Sequence, residues 1–512
     1  MTRPIAIDPD SLSMEAIRSG ALADEPVTVL GFARSGIALA CFLADAGARV
    51  TVYDGRGEAE LAGAIAALEG REVRLALGPE VDPASTWADA RLVTTSPSIN
   101  PDFPTTEPRL RAELRALVDA RAAGDRTVPA LVSEPDLFLR LCVAPTIGVT
   151  GTKGKTTTAS LTAAILAADP GHPVVLGGNI GVPILDRLAE LTPDHRVVYE
   201  LSELQLPTLS SGTTVAVYTN VTADHLDRHG SLEAYRRVKR ILAERVDPAG
   251  ALVLNAEDPV VASYSELGSA RAVRYRRGDP PPGGLGVVAG WIVADRVAPL
   301  GDERVLDGRI MPVDELGIPG EHNVSNALAA VAVGALFGVP VEGIREAAAA
   351  FTGVEHRLEP VATVDGVRFV NDSMGTQPDA VIAALHAFDG PVVLIAGGQD
   401  KGVDLTDLAR QVASRASAAV LIGESGPDLE RRFRDAGLAH AERAGSLDEA
   451  VVRADALARA ALADAGADAA SATVLLSPAA ASFDMFPDYA ARGRAFKDAV
   501  ADLVAARARS RR

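Results

Sequence analysis

Three times along the chain an apolar, strand-like run ends in a glycine-rich or polar turn and gives way at once to a helix pattern. The first case is VTVLGFARSGIALACFLADAGARVTVYD, which reads strand, turn, helix, strand: a βαβ unit of about 30 residues. VRLAL and RLVTTSPSI extend it, and residues 101–127 hold a Pro-rich turn and an Arg/Ala/Glu helix. The second opens at PTIGVT, a strand running into GTKGKTTTASLTAAILAA. It continues through VVYEL, TVAVYTNV, a helix from about Leu232 to Arg245, ALVLNAED, an exposed hairpin or loop at RRGDPPPGGLG, and a long buried helix capped near Asn323. The third begins around Gly353, with strands VRFVNDS, PVVLIAGG, AAVLIGES and TVLLSPAAASFDMF. Alternation of this kind predicts an α/β fold with mostly parallel sheets. The expected divisions are residues 1–142, 143–352 and 353–512, the first and last Rossmann-like and the middle one of P-loop type. Residues 1–25 read as a loose polar arm.

At 512 residues the chain is too long for one ordinary core. A net charge of -18 argues against nucleic acid and anionic membrane as general partners, while leaving room for a local cationic cluster. Cys41 and Cys142, the two cysteines, sit in apolar company and point to core packing in a reducing compartment. With no apolar run of about 18 residues and no signal-peptide pattern, the expectation is a cytoplasmic protein without membrane insertion.

Of 50 Lys and Arg residues only five are Lys: Lys153, Lys155, Lys239, Lys401 and Lys497. Where bare charge suffices this chain uses Arg, so a retained Lys marks a place that wants a compact, titratable amine. Lys497, in an Arg/Ala-rich terminal helix, reads as ordinary surface.

The strongest motif is GVTGTKGKTTT. A Gly-rich turn between strand and helix aims backbone N–H groups at an anion, and the helix N-terminus adds partial positive charge. Val149 stands where the strict G-x-x-x-x-G-K-[ST] pattern needs its first Gly, so the loop is a shorter variant. Lys155 suits the outer phosphates and Thr156 a phosphate-bound Mg²⁺. Glu200 ends a strand of β-branched and aromatic residues, where a bare carboxylate is expensive to bury unless a hard cation relieves it. Glu203 reads instead as a solvated helix-start residue. Asp224, His225, Asp227 and His229 cluster after another strand, ahead of Lys239, and their oxygen-rich chemistry favours Mg²⁺ over zinc. Asn323 and Asn326 fit helix caps and a nucleotide contact equally well. In the third segment His356 and Arg357, Asn371 to Thr376, Asp400 and Lys401, and Ser477 and Ser482 fall in polar loops after strands. Arg357 and Lys401 suit carboxylate or phosphate, and Asp372 a ribose hydroxyl. GFARSG matches G-x-G-x-x-G except at Ala33, and Asp54 follows Gly31 by 23 residues, a pattern as fit for NAD as for another nucleotide.

Taken in order, GTKGKTT, LGGNIG, ELSELQL, NVTADHLDRHGSLEAYRRVK, GEHNVSNALAA, EHRLE, NDSMGT, GGQDKG and SPAAASFDMF resemble the Mur ligases, the ATP-dependent amide-bond formers of peptidoglycan precursor synthesis. The resemblance runs from about Val27 to Lys497 and is nearest to the glutamate-adding branch. It implies a monomeric enzyme acting on UDP-N-acetylmuramoyl-L-alanine and glutamate with ATP and Mg²⁺. Gly151, Thr152, Lys153, Gly154, Lys155, Thr156 and Thr157 would bind ATP phosphates, and Asn326, Arg357 and Asp372 would attend the nucleotide. Thr156, Glu200, His225 and Lys239 would hold metal, with Lys239 carbamylated; Lys155, His225, Lys239 and Arg357 would be the catalytic set. Gly31, Ala33, Arg34, Ser35, Gly36, Asp54 and Ser96 would form the UDP site, and Asn179 would contact the muramoyl sugar. Thr376, Lys401, Ser482 and Tyr489 would face the incoming glutamate.

Two motifs depart from the D-glutamate pattern, which usually reads D-S-K-A-T-N where this chain has D-S-M-G-T-Q, and Asn where it has Lys153. Met374 removes a cation, and on that ground the reading favours L-glutamate, with a separate epimerase as partner; D-glutamate is the alternative. A folylpolyglutamate synthase would lack the nucleotide-sugar segment. An NAD-dependent oxidoreductase would leave GTKGKTT and Lys239 unexplained, and a P-loop kinase would explain little beyond that loop. Against a non-catalytic regulator stand the intact Lys155, Glu200, His225 and Lys239.

Overall fold

The computed structural model describes residues 5–180, 183–224, 226–301, 305–400, 404–466 and 470–510, and for residues 226, 227, 379 and 510 the backbone only. The chain forms two compact units, Met1–Phe351 and Thr352–Arg512. Among the described residues no helix is long and apolar enough to cross a membrane.

The first unit contains two sheets. One is wholly parallel, in the order β3-β2-β1-β4-β5, formed by β1 (Pro26–Leu30), β2 (Arg49–Asp54), β3 (Val73–Leu77), β4 (Leu92–Thr95) and β5 (Ala130–Ser133). Side chains alternate across it. Val29 and Val52 join Leu39 and Leu43 of the helix Arg34–Asp45 on one face, while Leu30 and Val93 pack with Leu110, Leu114 and Leu117 of Pro108–Ala122 on the other. The chain winds outward from β1 to β3, then returns to place β4 on the other side of β1. That reversal opens a crevice at the carboxyl ends of β1 and β4.

From Ile5 onward the expected loose arm is ordered instead. Backbone N–H groups of Ala6 and Ile7 donate to the carbonyls of Arg126 and Arg91, and Ile7, Leu12, Met14, Ile17 and Leu22 are buried. Those five apolar side chains, spaced among polar ones, are what hold it down.

The second sheet has the order β14-β13-β12-β11-β10-β9-β6-β8-β7. Its parallel part comprises β6 (Thr146–Thr150), β7 (Val174–Gly178), β8 (Arg196–Glu200), β9 (Val215–Tyr218), β10 (Ala251–Asn255), β11 (Arg271–Tyr275) and β12 (Leu285–Val288). β13 (Trp291–Val297) and β14 (Leu306–Pro312) continue it as antiparallel strands. The RRGDPPPGGLG stretch, expected as an exposed hairpin or loop, is largely the loop between the parallel strands β11 and β12. Ile147, Val149 and Val217 face the helices Lys155–Leu166 and Glu321–Leu336, the latter buried continuously from Asn326 to Leu336. That helix starts at Glu321 with Gly320 at its N-cap, three residues ahead of the cap expected at Asn323.

The second unit holds a six-stranded sheet in the order β15-β16-β20-β17-β18-β19. Its strands are β15 (Glu359–Val364), β16 (Val367–Asn371), β17 (Val392–Gly397), β18 (Ala418–Ile422), β19 (Ala441–Arg443) and β20 (Ala472–Leu476). Only the β15–β16 pair is antiparallel. Val393, Ile395 and Val474 pack on one face with the helix Leu447–Ala465 and Phe496, while Leu394, Ala396 and Leu475 pack on the other with Leu408 and Val412.

Candidate active site

β6 sits where the second sheet reverses its winding, between β8 and β9, and its carboxyl end carries the GTKGKT loop. The chain turns through Gly151 at φ 147° and Gly154 at φ 85°. A Cβ on Gly151 would stand 1.9 Å from Thr219 Oγ1, and one on Gly154 2.5 Å from Asn326 Oδ1. Gly154 is the N-cap and no side chain caps the helix, so the first-turn N–H groups are left for an anion. The loop is already braced: Thr152 N–H donates to the Asn220 carbonyl at 2.8 Å, Lys153 N–H to Asn220 Oδ1 at 2.9 Å, and Asn220 Nδ2 to the Lys153 carbonyl at 3.0 Å. Lys155 Nζ donates to the Thr152 carbonyl at 2.9 Å, while exposed Lys153 pairs with Asp224 at 3.1 Å. Thr156 is buried in the first turn and Thr157 half-buried. Asn326 accepts from Thr158 Oγ1 at 3.2 Å and donates to Asn323 Oδ1 at 3.1 Å, and Asn323 donates to the Pro319 carbonyl at 2.7 Å. Asn326 thus lies directly against the loop.

β8 delivers Glu200 to the same edge, 1% exposed. Asn179, just after β7, donates from Nδ2 to its Oε1 at 2.9 Å, and Oε2 is buried without a partner. A buried carboxylate oxygen left unsatisfied beside the GTKGKT loop is the arrangement that a hard divalent cation completes. The donor set fits Mg²⁺ on this observation.

Lys239, on the helix Leu232–Arg245, is 0% exposed. Its Nζ donates to the Gly151 carbonyl at 3.0 Å and to Thr150 Oγ1 at 3.3 Å, and lies 5.5 Å from the Tyr235 ring centre. Burial first, and the charge of Lys155 next, push its amine down to about 7. An arginine here would stay charged; a lysine can be neutral and nucleophilic.

At the crevice of the first sheet, Gly31 turns the chain into the helix Arg34–Asp45, with Ala33 and Arg34 exposed and Ser35 half-buried. A Cβ on Gly36 would lie 1.8 Å from the Gly31 carbonyl oxygen, so helix and turn meet only through glycine. Asp54, at the end of β2, accepts from Phe32 N–H at 2.8 Å and from Arg56 through Nε at 3.0 Å and Nη2 at 2.8 Å. Burial raises its carboxyl, but the Arg56 side chain and the backbone N–H groups of Arg56 and Phe32 prevail and leave it below the usual range. Ser96 Oγ lies 3.3 Å from Ser98 Oγ. Gly31, Asp54, Ser98, Thr106, Glu107 and Arg228 are among the residues lining a cavity of about 430 Å³.

Glu203, expected in solvent, is 7% exposed and pairs with Arg228 at 2.7 Å. Its acidic segment folds inward because Arg228 supplies a partner. His225 and Lys401 lie outside the described residues, as does the Asp227 side chain. Among the described residues no three His, Cys, Asp or Glu side chains form a metal-ligating group.

In the second unit, His356 at φ 64° and Leu358 at φ 45° place two non-glycine residues in the left-handed region on either side of exposed Arg357. Backbone strain of this kind persists only where the surroundings enforce it. Asp372 follows β16, is 5% exposed, and accepts from Ser477 Oγ at 2.6 Å and Leu358 N–H at 3.2 Å. Burial outweighs these bonds and lifts its carboxyl to about 6. Arg357, Asp372, Met374 and Gly375 line a cavity of about 250 Å³. Thr376 is half-buried, Ser482 buried, and Tyr489 opens the terminal helix Tyr489–Ser510. Lys497 is not free surface: its Nζ donates to Glu355 at 2.6 Å and Glu359 at 3.1 Å.

Two features had no sequence signal. Glu134 opens the helix Glu134–Leu141, and burial lifts its carboxyl to about 7 against the opposing charge of Arg34; the nearby Tyr199 hydroxyl is buried without a partner. Arg492, one arginine among many in its helix, is 1% exposed.

Residues 149–334 match the Mur ligase middle domain, and residues 356–480 match the Mur ligase glutamate ligase domain. The UDP-N-acetylmuramoylalanine--D-glutamate ligase of Symbiobacterium thermophilum is 38% identical over 486 residues, spanning 95% of this chain and 100% of that one. The chain belongs to the Mur ligase family. A Mur ligase of the same title from Pelotomaculum thermopropionicum is 37% identical over 478 residues, 93% of this chain and 97% of its own. Among solved structures, the UDP-N-acetylmuramate-alanine ligase of Thermotoga maritima aligns with a TM-score of 0.49 at 21% identity, over 93% of this chain and 99% of that one. As a Mur ligase, the chain is an ATP-dependent amide-bond ligase of peptidoglycan precursor synthesis.

Proposed function

We propose that this Mur ligase adds D-glutamate to UDP-N-acetylmuramoyl-L-alanine. The observation that carries this reading is the near-full-length similarity to enzymes named for D-glutamate, 38% identical over 95% of the chain in one case. The expectation of L-glutamate, drawn from Met374, and of an epimerase partner has no comparable support: relatives named for D-glutamate recur at 32–38% identity. The three sheets support three working divisions, residues 1–142 for the UDP substrate, 143–352 for ATP and 353–512 for glutamate.

In this reading the Gly151–Thr157 loop and Lys155 hold ATP phosphates, with Asn326 against the loop and Arg357 and Asp372 attending the nucleotide. Thr156, Glu200, the carbamate of Lys239 and His225 would hold Mg²⁺, which supplies charge neutralisation at the phosphates. Carbamylation consumes CO₂ and releases one proton from the Lys239 amine, and a buried amine near pKa 7 offers the neutral nucleophile it requires. The crevice of the first sheet takes the UDP moiety, through Gly31–Gly36, Asp54 and Ser96. The alanyl carboxylate attacks the γ-phosphorus and ADP leaves; the glutamate amine then attacks the acyl phosphate, inorganic phosphate leaves, and the amine gives up a proton. Lys155 spreads charge on the transferred group, and the loop fixes its direction. Thr376, Lys401, Ser482 and Tyr489 frame the amino acid.

The test is phosphate release from ATP with UDP-N-acetylmuramoyl-L-alanine and each glutamate enantiomer offered separately. Turnover with D-glutamate alone is expected. Turnover with L-glutamate alone would replace the stereochemical assignment, and silence with both would sink the substrate assignment.

A further inference from the structure

Arg492 is among the largest fully buried side chains of the described residues, 1% exposed. Its guanidinium spans two loops at the carboxyl edge of the six-stranded sheet. Nε donates to Ser373 Oγ at 3.0 Å and Nη2 to the Ser373 carbonyl at 3.0 Å, both on the loop after β16. Nη1 donates to the carbonyls of Ala480 at 3.3 Å and Ala481 at 3.2 Å, on the loop after β20. The two loops are also joined directly: Ala479 N–H donates to the Gly375 carbonyl at 2.9 Å, and Ala479 itself is left-handed at φ 56°. Three residues beyond Ser373 lies Thr376, and Ser482 directly follows Ala481.

All of these bonds go to neutral oxygens. No carboxylate of a described residue forms an ion pair with Arg492, although burying a guanidinium without an anion is costly. For holding two loops together, neutral groups or a salt bridge would serve at less cost. A buried cation behind both loops, opposed at a distance by the charge of Asp484 but paired directly with no carboxylate, does something more: it leaves positive potential at the surface those loops present. The side chain at position 374, on the same loop, is an uncharged methionine.

We propose that Arg492 is the positioning residue of the amino-acid site, fixing the spacing of the Thr376 and Ser482 loops and lending them the positive field that receives the carboxylates of glutamate. This rests on the reading of the second unit as the glutamate-binding one. Arg492 touches no substrate; it acts through Ser373, Ala480 and Ala481. Its fork geometry and its charge are separable, because lysine keeps the charge without the fork and glutamine keeps neither charge nor all five donors.

Steady-state kinetics on the full-length wild type and on Arg492→Lys, Arg492→Gln and Ser373→Ala test it. The wild type must first show glutamate-dependent phosphate release; its absence would overturn the glutamate reading itself rather than the role of Arg492. Given that activity, a KM for glutamate raised about tenfold or more in Arg492→Gln, and less in Arg492→Lys, is expected, with KM for ATP and for the UDP substrate within about threefold of wild type. An unchanged glutamate KM, or equal rises for all three substrates, would overturn the proposal and leave Arg492 a packing residue. Should neither Arg492 variant fold, Ser373→Ala decides by the same split, with about a threefold selective rise in glutamate KM as the expected result.

Discussion

Asn179 donates its side-chain amide to Oε1 of Glu200 at 2.9 Å, and this one bond sets the plane of a carboxylate whose other oxygen has no partner. In the proposed reading the pair is a metal ligand and its orienting neighbour. Asn179→Ala should raise the Mg²⁺ concentration for half-maximal activity about 10–100-fold, the usual effect of removing a group that orients a metal ligand. A Mg²⁺ titration superimposable on wild type would separate Glu200 from the cation. An effect confined to KM for the UDP substrate would instead favour the sugar contact implied by resemblance.

Lys239 should tolerate neither loss nor charge retention. Lys239→Arg is expected to be inactive, whereas Lys239→Ala should recover part of its activity with added short-chain carboxylates, which replace the lost oxygen ligand. The unmodified amine has a pKa of about 7, so its neutral, CO₂-reactive fraction grows as pH rises through that value. Reactivation of CO₂-stripped enzyme by dissolved CO₂ at fixed concentration should be about tenfold faster at pH 8 than at pH 6. A rate independent of pH, or full activity of the arginine variant, would remove the carbamate from the mechanism.

Asp54 is bonded to its own turn through Phe32 and Arg56, so its replacement disturbs the crevice rather than deleting one contact. Asp54→Ala leaves the Phe32 N–H without its acceptor and should raise KM for the UDP substrate roughly tenfold, in line with about 1–3 kcal/mol for an unsatisfied buried donor. Asp54→Asn keeps an acceptor and should stay nearer wild type. Equal changes in KM for ATP would place the UDP site elsewhere.

Glu134 carries a pH signature of its own. Its folded-state value of about 7 lies above the ordinary glutamate value of 4.5, so the folded protein holds a proton that the unfolded chain gives up between those limits. Its contribution to stability is therefore lost as pH rises from about 4.5 to about 7, a swing of about 3 kcal/mol at most. Glu134→Gln should gain relative to wild type across that window in chemical denaturation of the full chain. A difference between the two proteins that does not vary with pH would show that the carboxyl is not held protonated.

Local signals were the legible ones. The strand-turn-helix sequence at Thr150–Leu166 and the helix Leu232–Arg245 follow from short-range periodicity and glycine placement, and they stand where the pattern put them. What escaped was decided by distant partners. Ile7 is anchored by the carbonyl of Arg91, and Glu203 is drawn inward by Arg228. Lys497 looked like surface until Glu355 and Glu359 came beside it. Arg492 is indistinguishable by type from the exposed arginines of its helix, because only the carbonyls that meet it single it out. Of the candidate site, the phosphate loop, Glu200 and Lys239 gather at one sheet edge, as strand endings suggested. The bond from Asn179 to Glu200 required the register of β7 against β8, which no motif encodes.

The strand order of the second unit has a consequence for biosynthesis. Among the described residues β20 is the last strand to be translated, yet it lies between β16 and β17 and links the two halves of that sheet. On the ribosome, a chain that has not yet reached Ala472 holds two half-sheets with bare facing edges, open to wrong pairing. A message cut between the codons for Phe351 and Ala472 would therefore yield a complete first unit attached to a second that lacks its central strand. Such a product would be marked for proteolysis by those edges before it could bind ATP without forming product.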